Sequence, residues 1–185
     1  MNPTKRIFLV VIAALLVTAV AVVLTYSCYH DTPSSPEVAV NASEVAPDEL
    51  LGMKKMVVSC GIDALRRVKQ SHNGSIEDVK DVAIVHYMKE DGMLTLWTTL
   101  YQNETVANTE AEKMVIGMRK WGGSWASDLK ELTIAEKQVY QTSSDNVSHY
   151  FWADREWVFY IIPHNFTQDE IAEIIGAIPQ EQTRR

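Results

Sequence analysis

Apolar and polar positions divide the chain into unlike stretches. Residues 7–26 read IFLVVIAALLVTAVAVVLTY, apolar apart from two threonines and a closing tyrosine. A helix packed on a protein surface would show polar residues every third or fourth position. A run of about 20 apolar residues is instead what a helix needs to cross the hydrocarbon core, where it satisfies its own backbone. The stretch predicts a transmembrane helix. A cleaved signal peptide would have an apolar region of about 7–15 residues and a small-x-small site after it; this run is longer and ends Thr25-Tyr26-Ser27-Cys28. Residues 27–47 carry three prolines and little periodicity, which predicts a linker.

From residue 48 the pattern is that of a folded domain. Met53, Val57, Cys60, Ala64 and Val68 recur at three- and four-residue spacing, predicting an amphipathic helix over 51–68 in spite of Gly61. Residues 82–101 predict a β-hairpin turning at Glu90-Asp91-Gly92, with Gly92 as a left-handed bulge residue. That register places Val82, Ile84, His86 and Met88 on one face with Leu94, Leu96, Thr98 and Leu100, and Tyr87, Trp97 and Tyr101 on the other. Thr109 and Glu112 have capping-box spacing. They predict a helix with Ala111, Met114, Val115, Met118 and Trp121 on one stripe, stopped by Gly122-Gly123.

Short strands are predicted at 131–135 and 138–142, then a turn over 143–146 and a hairpin of 147–153 with 157–163. A second capping box, Thr167 with Glu170, opens a last helix whose stripe is Ile171, Ile174, Ile175 and Ile178 and which Pro179 ends. Hairpin links dominate this α-β-β-α-β-β-β-β-α order. They predict an α+β fold, a mainly antiparallel sheet with helices packed on one face. The expected organisation is a cytoplasmic tail (1–6), a transmembrane helix (7–26), a linker (27–47), an extracytoplasmic domain (48–180) and a polar tail (181–185).

The closing unit, His149 to Ile162 followed by Thr167 to Ile175, resembles the last strand pair and helix of extracytoplasmic LolA-like and related lipoprotein-type domains. The likeness covers about a fifth of the chain and lies in patterning. It implies a curved sheet embracing helices, sometimes around an apolar ligand, and it carries over no functional residue.

Charge sets the orientation. Lys5 and Arg6 precede the apolar stretch, while the next basic residues after it are Lys54 and Lys55. The positive-inside rule then puts the N-terminus in the cytoplasm and the domain outside. Five N-x-S/T sequons agree, at Asn41, Asn73, Asn103, Asn146 and Asn165. With seven Asn in the chain, chance predicts roughly one such match. They are expected in linkers, turns and loops, where a glycan fits.

The net charge of −7 comes without a basic cluster, which argues against nucleic acid as a partner. Cys28 and Cys60 have no metal-ligand or CxxC spacing; two unpaired thiols are expected, with a disulfide between them or a lipid on Cys28 as the alternatives. His30, His72, His86, His149 and His164 are scattered, although a long last hairpin would let His149 and His164 meet. No cofactor, metal or catalytic residue is expected, and no G-x-S-x-G elbow is present.

The aromatic residues of the strands are the one informative excess. Trp97, Tyr101, Trp152 and Trp157 are candidates for a binding face, weighed against ordinary burial of strand aromatics. The function expected is a non-enzymatic module held on the membrane by a single pass, in contact with an envelope protein or polymer. The alternative is a carrier or sensor of a small apolar ligand or lipid in a sheet–helix pocket.

Overall fold

The computed structural model describes residues 41–71 and 76–178. The 7–26 stretch, the 1–6 and 181–185 tails, Cys28, His30, His72 and Asn73 lie outside them. No helix among the described residues is long and apolar enough to cross a membrane.

Eight strands form one antiparallel sheet: β1 (Glu49–Leu50), β2 (Met53–Cys60), β3 (Val79–Met88), β4 (Met93–Tyr101), β5 (Lys130–Ile134), β6 (Lys137–Ser144), β7 (Val147–Asp154) and β8 (Trp157–His164). Their order is β1-β2-β3-β4-β8-β7-β6-β5. The helices are α1 (Gly61–Ser71), α2 (Glu104–Trp121), the single turn α3 (Ser124–Ser127) and α4 (Gln168–Ala177). The α+β fold and the antiparallel sheet therefore stand as expected.

Three hairpins close on two residues that are both left-handed: Leu51-Gly52 (φ 49° and 76°), Ala135-Glu136 (49° and 65°) and Asp145-Asn146 (51° and 64°). Left-handed pairs match the twist of the strands they join. Asp and Asn accept this conformation readily, which is why the 143–146 turn was legible.

The helix expected over 51–68 is corrected. Its first half is strand β2, and the helix starts only at Gly61. Gly61 sits at φ 56°, a conformation open to glycine. It lets the chain pass from strand to helix without a loop, and the three-to-four spacing across that junction was coincidental.

The register expected for the first hairpin is also wrong by one residue. Met88 pairs with Met93 and Ile84 with Trp97, so Val82, Ile84, His86 and Met88 share a face with Trp97 and Tyr101. Tyr87 faces the other way, with Leu94 and Leu96. The loop holds four residues, closed by Lys89 N–H donating to Gly92 O at 2.9 Å, and Gly92 is not left-handed. What Gly92 supplies is room: a Cβ there would lie 2.7 Å from Lys89 Cε and 2.8 Å from His164 O.

The capping box expected at Thr109 is not one. Helix α2 begins five residues earlier, where the Asn103 side chain accepts from Val106 N–H at 3.0 Å. Thr109 lies inside the helix and its hydroxyl donates to Thr105 O at 2.8 Å. The box at Thr167 and Glu170 is present, with both reciprocal hydrogen bonds.

Helices cover both faces of the sheet, not one. On the first face, Ile171, Ile174, Ile175 and Ile178 pack on Val85, Leu94, Leu96, Tyr150, Trp152, Phe159 and Ile161. On the second, Ala64 and Val68 of α1 cover Val82 and Ile84. Ala107 and Ala111 of α2 cover Tyr101 and Val158, and Val115 covers Phe151 and Tyr160. The central strands bury consecutive residues, Val82 to Val85 and His149 to Trp152 among them, so each face needs its own cover.

Residues 42–47, read by composition as linker, belong to the folded unit. Ala42 and Ala46 are buried in the first-face core. Their irregular backbone is satisfied by side chains: Ala42 N–H donates to Asp81 Oδ2 at 2.7 Å, Thr98 Oγ1 to Ala42 O at 2.6 Å and Tyr87 OH to Pro47 O at 2.6 Å. Lys55 Nζ donates to Ser43 O and Ala46 O and pairs with Asp48 at 2.8 Å. Buried backbone groups need partners of this kind, and no periodicity announces them.

Candidate functional site

The four aromatic residues expected to form a binding face do not share one. Trp97 and Tyr101 occupy alternate positions of β4 and point toward α1 and α2. Trp152 and Trp157 lie on the α4 side. Tyr101, Trp152 and Trp157 are buried, at 5%, 0% and 6% exposure, so they serve the two cores. Trp97 is half-buried, packs against the clusters under both α1 and α2, and stacks on Tyr160 with ring centroids 5.2 Å apart.

A buried polar side chain of the second face is His149 on β7. Its Nδ1 lies 2.8 Å from the Tyr160 hydroxyl, and Trp125 meets its ring edge-on at 4.8 Å. Thr142 Oγ1 donates to Trp125 O at 2.6 Å, which fixes α3 over this spot. Burial, aided by the charge of His164, lowers the His149 pKa to about 4. Burial also raises the Tyr160 phenol well above its ordinary value. Both groups are thus neutral near pH 7, and the arrangement is a satisfied core pair. Tyr150 is the last β7 residue paired with β8, opposite Ile161, so His149 and His164 are not a cross-strand pair.

The first face holds a second polar spot. Lys137, 9% exposed, donates to Ile175 O and Ile178 O at 2.7 Å each. It thereby caps the C-terminus of α4, where carbonyls lack helical partners and the dipole favours a cation. Burial lowers its pKa. Burial likewise raises that of Asp154, whose Oδ2 is buried without a hydrogen-bond partner, as is Trp152 Nε1. Among the described residues, no group of three His, Cys, Asp or Glu side chains is placed to hold a metal ion.

Cys60 is disulfide-bonded and not a free thiol, which corrects the expectation of unpaired thiols at that position. The chain's one other cysteine is Cys28. The signal for pairing was available: two cysteines in a segment otherwise read as exported favour a bridge.

Of the sequon residues, Asn103, Asn146 and Asn165 are exposed and Asn41 is half-buried. Asn103 caps α2 through Oδ1, leaving Nδ2 outside that bond. Asn146 occupies a hairpin turn. Asn165 donates from Nδ2 to Asp91 O at 2.6 Å.

The outer surface offers apolar side chains at few places: Met56 and Val57 on β2, Met88 at the end of β3, Ile116 on α2 and Ile62 on α1, with exposures from 42% to 66%. Ile62, Leu65, Arg66, Lys69 and Gln70 line a shallow hollow of about 340 Å³ on the outer side of α1. Reading 51–68 as one helix concealed this stripe; a helix started at Gly61 would have displayed it. No protein-family model, curated protein or solved structure matches the chain.

Proposed function

We propose that the chain is a membrane-anchored, extracytoplasmic interaction module without catalytic activity, tethered through residues 7–26 and meeting an envelope protein or polymer. The observation that carries this reading is the disulfide at Cys60. Disulfides persist in oxidising compartments and are rare in the cytosol, the same side of the membrane that the charge flanking residues 7–26 selects. Exposure of Asn103, Asn146 and Asn165 leaves three sequons open to a glycosyltransferase.

The non-catalytic part of the reading rests on how the polar residues are used. His149 is enclosed with Tyr160, and Lys137 caps a helix. The carrier alternative has less support, because Tyr150, Trp152, Phe159 and Ile174, which would line a sheet–helix pocket, are 0–1% exposed within one apolar cluster.

The test is peptide mass spectrometry on membranes from cells that make the protein, with thiols blocked before lysis. The expected result is an oxidised peptide joining Cys60 to Cys28, glycan on one or more of the exposed sequon residues, and an intact 7–26 peptide. A blocked, reduced Cys60 together with bare sequons would place the domain in a reducing compartment and end the proposal.

A further inference from the structure

We infer that Met88, Met93 and His164 form a surface site for a soft monovalent metal ion, Cu(I). The inference goes beyond the interaction reading above and does not depend on the anchor. The three residues occupy directly paired positions on adjacent strands: Met88 of β3 stands opposite Met93 of β4, and Met93 opposite His164 of β8. They face the second side of the sheet, because the strand neighbours Tyr87 and Leu94 belong to the first-face core.

The helices on that side stop short of this row. Helix α1 covers Val82 and Ile84, and α2 covers positions toward the other end of β4 and β8. Met88 is therefore 59% exposed, His164 is exposed and Met93 is half-buried. In the neighbouring row of the same face Met56, also exposed, pairs with His86. Two of the five exposed large apolar side chains among the described residues thus lie at one end of one face, and both are thioethers.

Register supplies the spacing. Directly opposed side chains stand about 5 Å apart at Cβ, so Met88 and His164 stand about 10 Å apart with Met93 between them. A thioether or an imidazole holds a metal about 5 Å from its own Cβ, so an ion above Met93 is within reach of all three. Gly92 tightens the arrangement: a Cβ there would lie 2.8 Å from His164 O, so the start of β4 runs close against the end of β8. The rotatable bonds of methionine let both sulfurs turn to the ion.

The donors select the ion. Counting only His, Cys, Asp and Glu, the described residues form no metal-binding group; the sulfurs of methionine complete this one. Thioether sulfur is a soft donor that favours Cu(I), whereas magnesium, calcium and manganese want oxygen.

The experiment uses the full chain in mild detergent, with any free thiol blocked so that no thiolate competes. Cu(I) is supplied anaerobically in ascorbate against bicinchoninate, a coloured chelator. The wild type should withdraw one Cu(I) per chain from the dye. Met88→Leu and Met93→Leu conserve volume, and each should weaken binding about ten-fold or more; M88L/M93L together should abolish it. M114L/M118L, on α2, should leave it unchanged. Urea midpoints report whether each variant folds, and Met88 is exposed enough for its replacement to leave the fold intact. A wild type that takes no Cu(I) from the dye overturns the site. Uptake that M88L/M93L leaves unchanged puts the ion elsewhere and overturns it equally. Zn(II) held as tightly as Cu(I) overturns the soft-ion assignment.

Discussion

Acid should unfold this domain through one histidine. His149 is 9% exposed, with Nδ1 held at 2.8 Å from the Tyr160 hydroxyl and its ring against Trp125. Protonation would put a cation into an aromatic pocket and place a proton on Nδ1, so that the Tyr160 hydroxyl could no longer donate to it. The folded pKa is about 4, against 6.5 for the ordinary group. Below about pH 6.5 the unfolded chain therefore takes up the proton first, while the folded chain resists until about pH 4. Stability from this group is complete above 6.5 and falls as the pH drops through that window. One unit is worth about 1.4 kcal/mol; with an allowance for solvent near the site, the loss between pH 7 and pH 4.5 is about 2 kcal/mol. Urea unfolding followed by tryptophan emission, for the wild type and His149→Gln across this range, isolates the contribution. The wild type should lose about 2 kcal/mol more than the variant. Parallel pH profiles would refute the reasoning, and a His149 titration near 6.5 by NMR would show that the pocket admits the charge.

Three further outcomes follow from single contacts. Lys137→Ala strips the partners from Ile175 O and Ile178 O and should cost about 2–4 kcal/mol in urea unfolding; Lys137→Met, which keeps the volume, should lose a similar amount if the capping hydrogen bonds dominate. Gly92→Ala brings a methyl group to within 2.8 Å of His164 O, which is backbone, and should cost about 1–3 kcal/mol by forcing β4 and β8 apart. Thr167→Ala removes half of the capping box and should cost about 1 kcal/mol, read as a lower midpoint at unchanged slope.

Much of the fold was legible where local chemistry and tertiary context agree. The β3–β4 and β7–β8 hairpins and α4 lie close to where alternation and turn residues place them. So does the break at Gly122-Gly123, where Gly123 takes φ 45°. The candidate site was less legible. Strand aromatics signal burial and binding alike, and Trp97, Tyr101, Trp152 and Trp157 were divided between two cores by the pairing of β4 with β8, which lie far apart in sequence. The outer side of α1 was hidden by a false helix start, and the partnered state of Cys60 was signalled by the even cysteine count but by no spacing motif.

By itself the sequence determined the α+β class, the number and order of most elements, the apolar stretch at 7–26 and the charge asymmetry around it. These depend on short-range periodicity, intrinsic backbone preference and composition, all of which are written along the chain. Tertiary structure alone decided that helices cover both faces of the sheet, that residues 42–47 are core and that Lys137 caps α4. It also decided that His149 is held neutral against Tyr160. Each of these is a pairing between residues far apart in sequence. Its free energy comes from removing apolar surface and polar groups from water together, and no local pattern encodes which distant partner completes it.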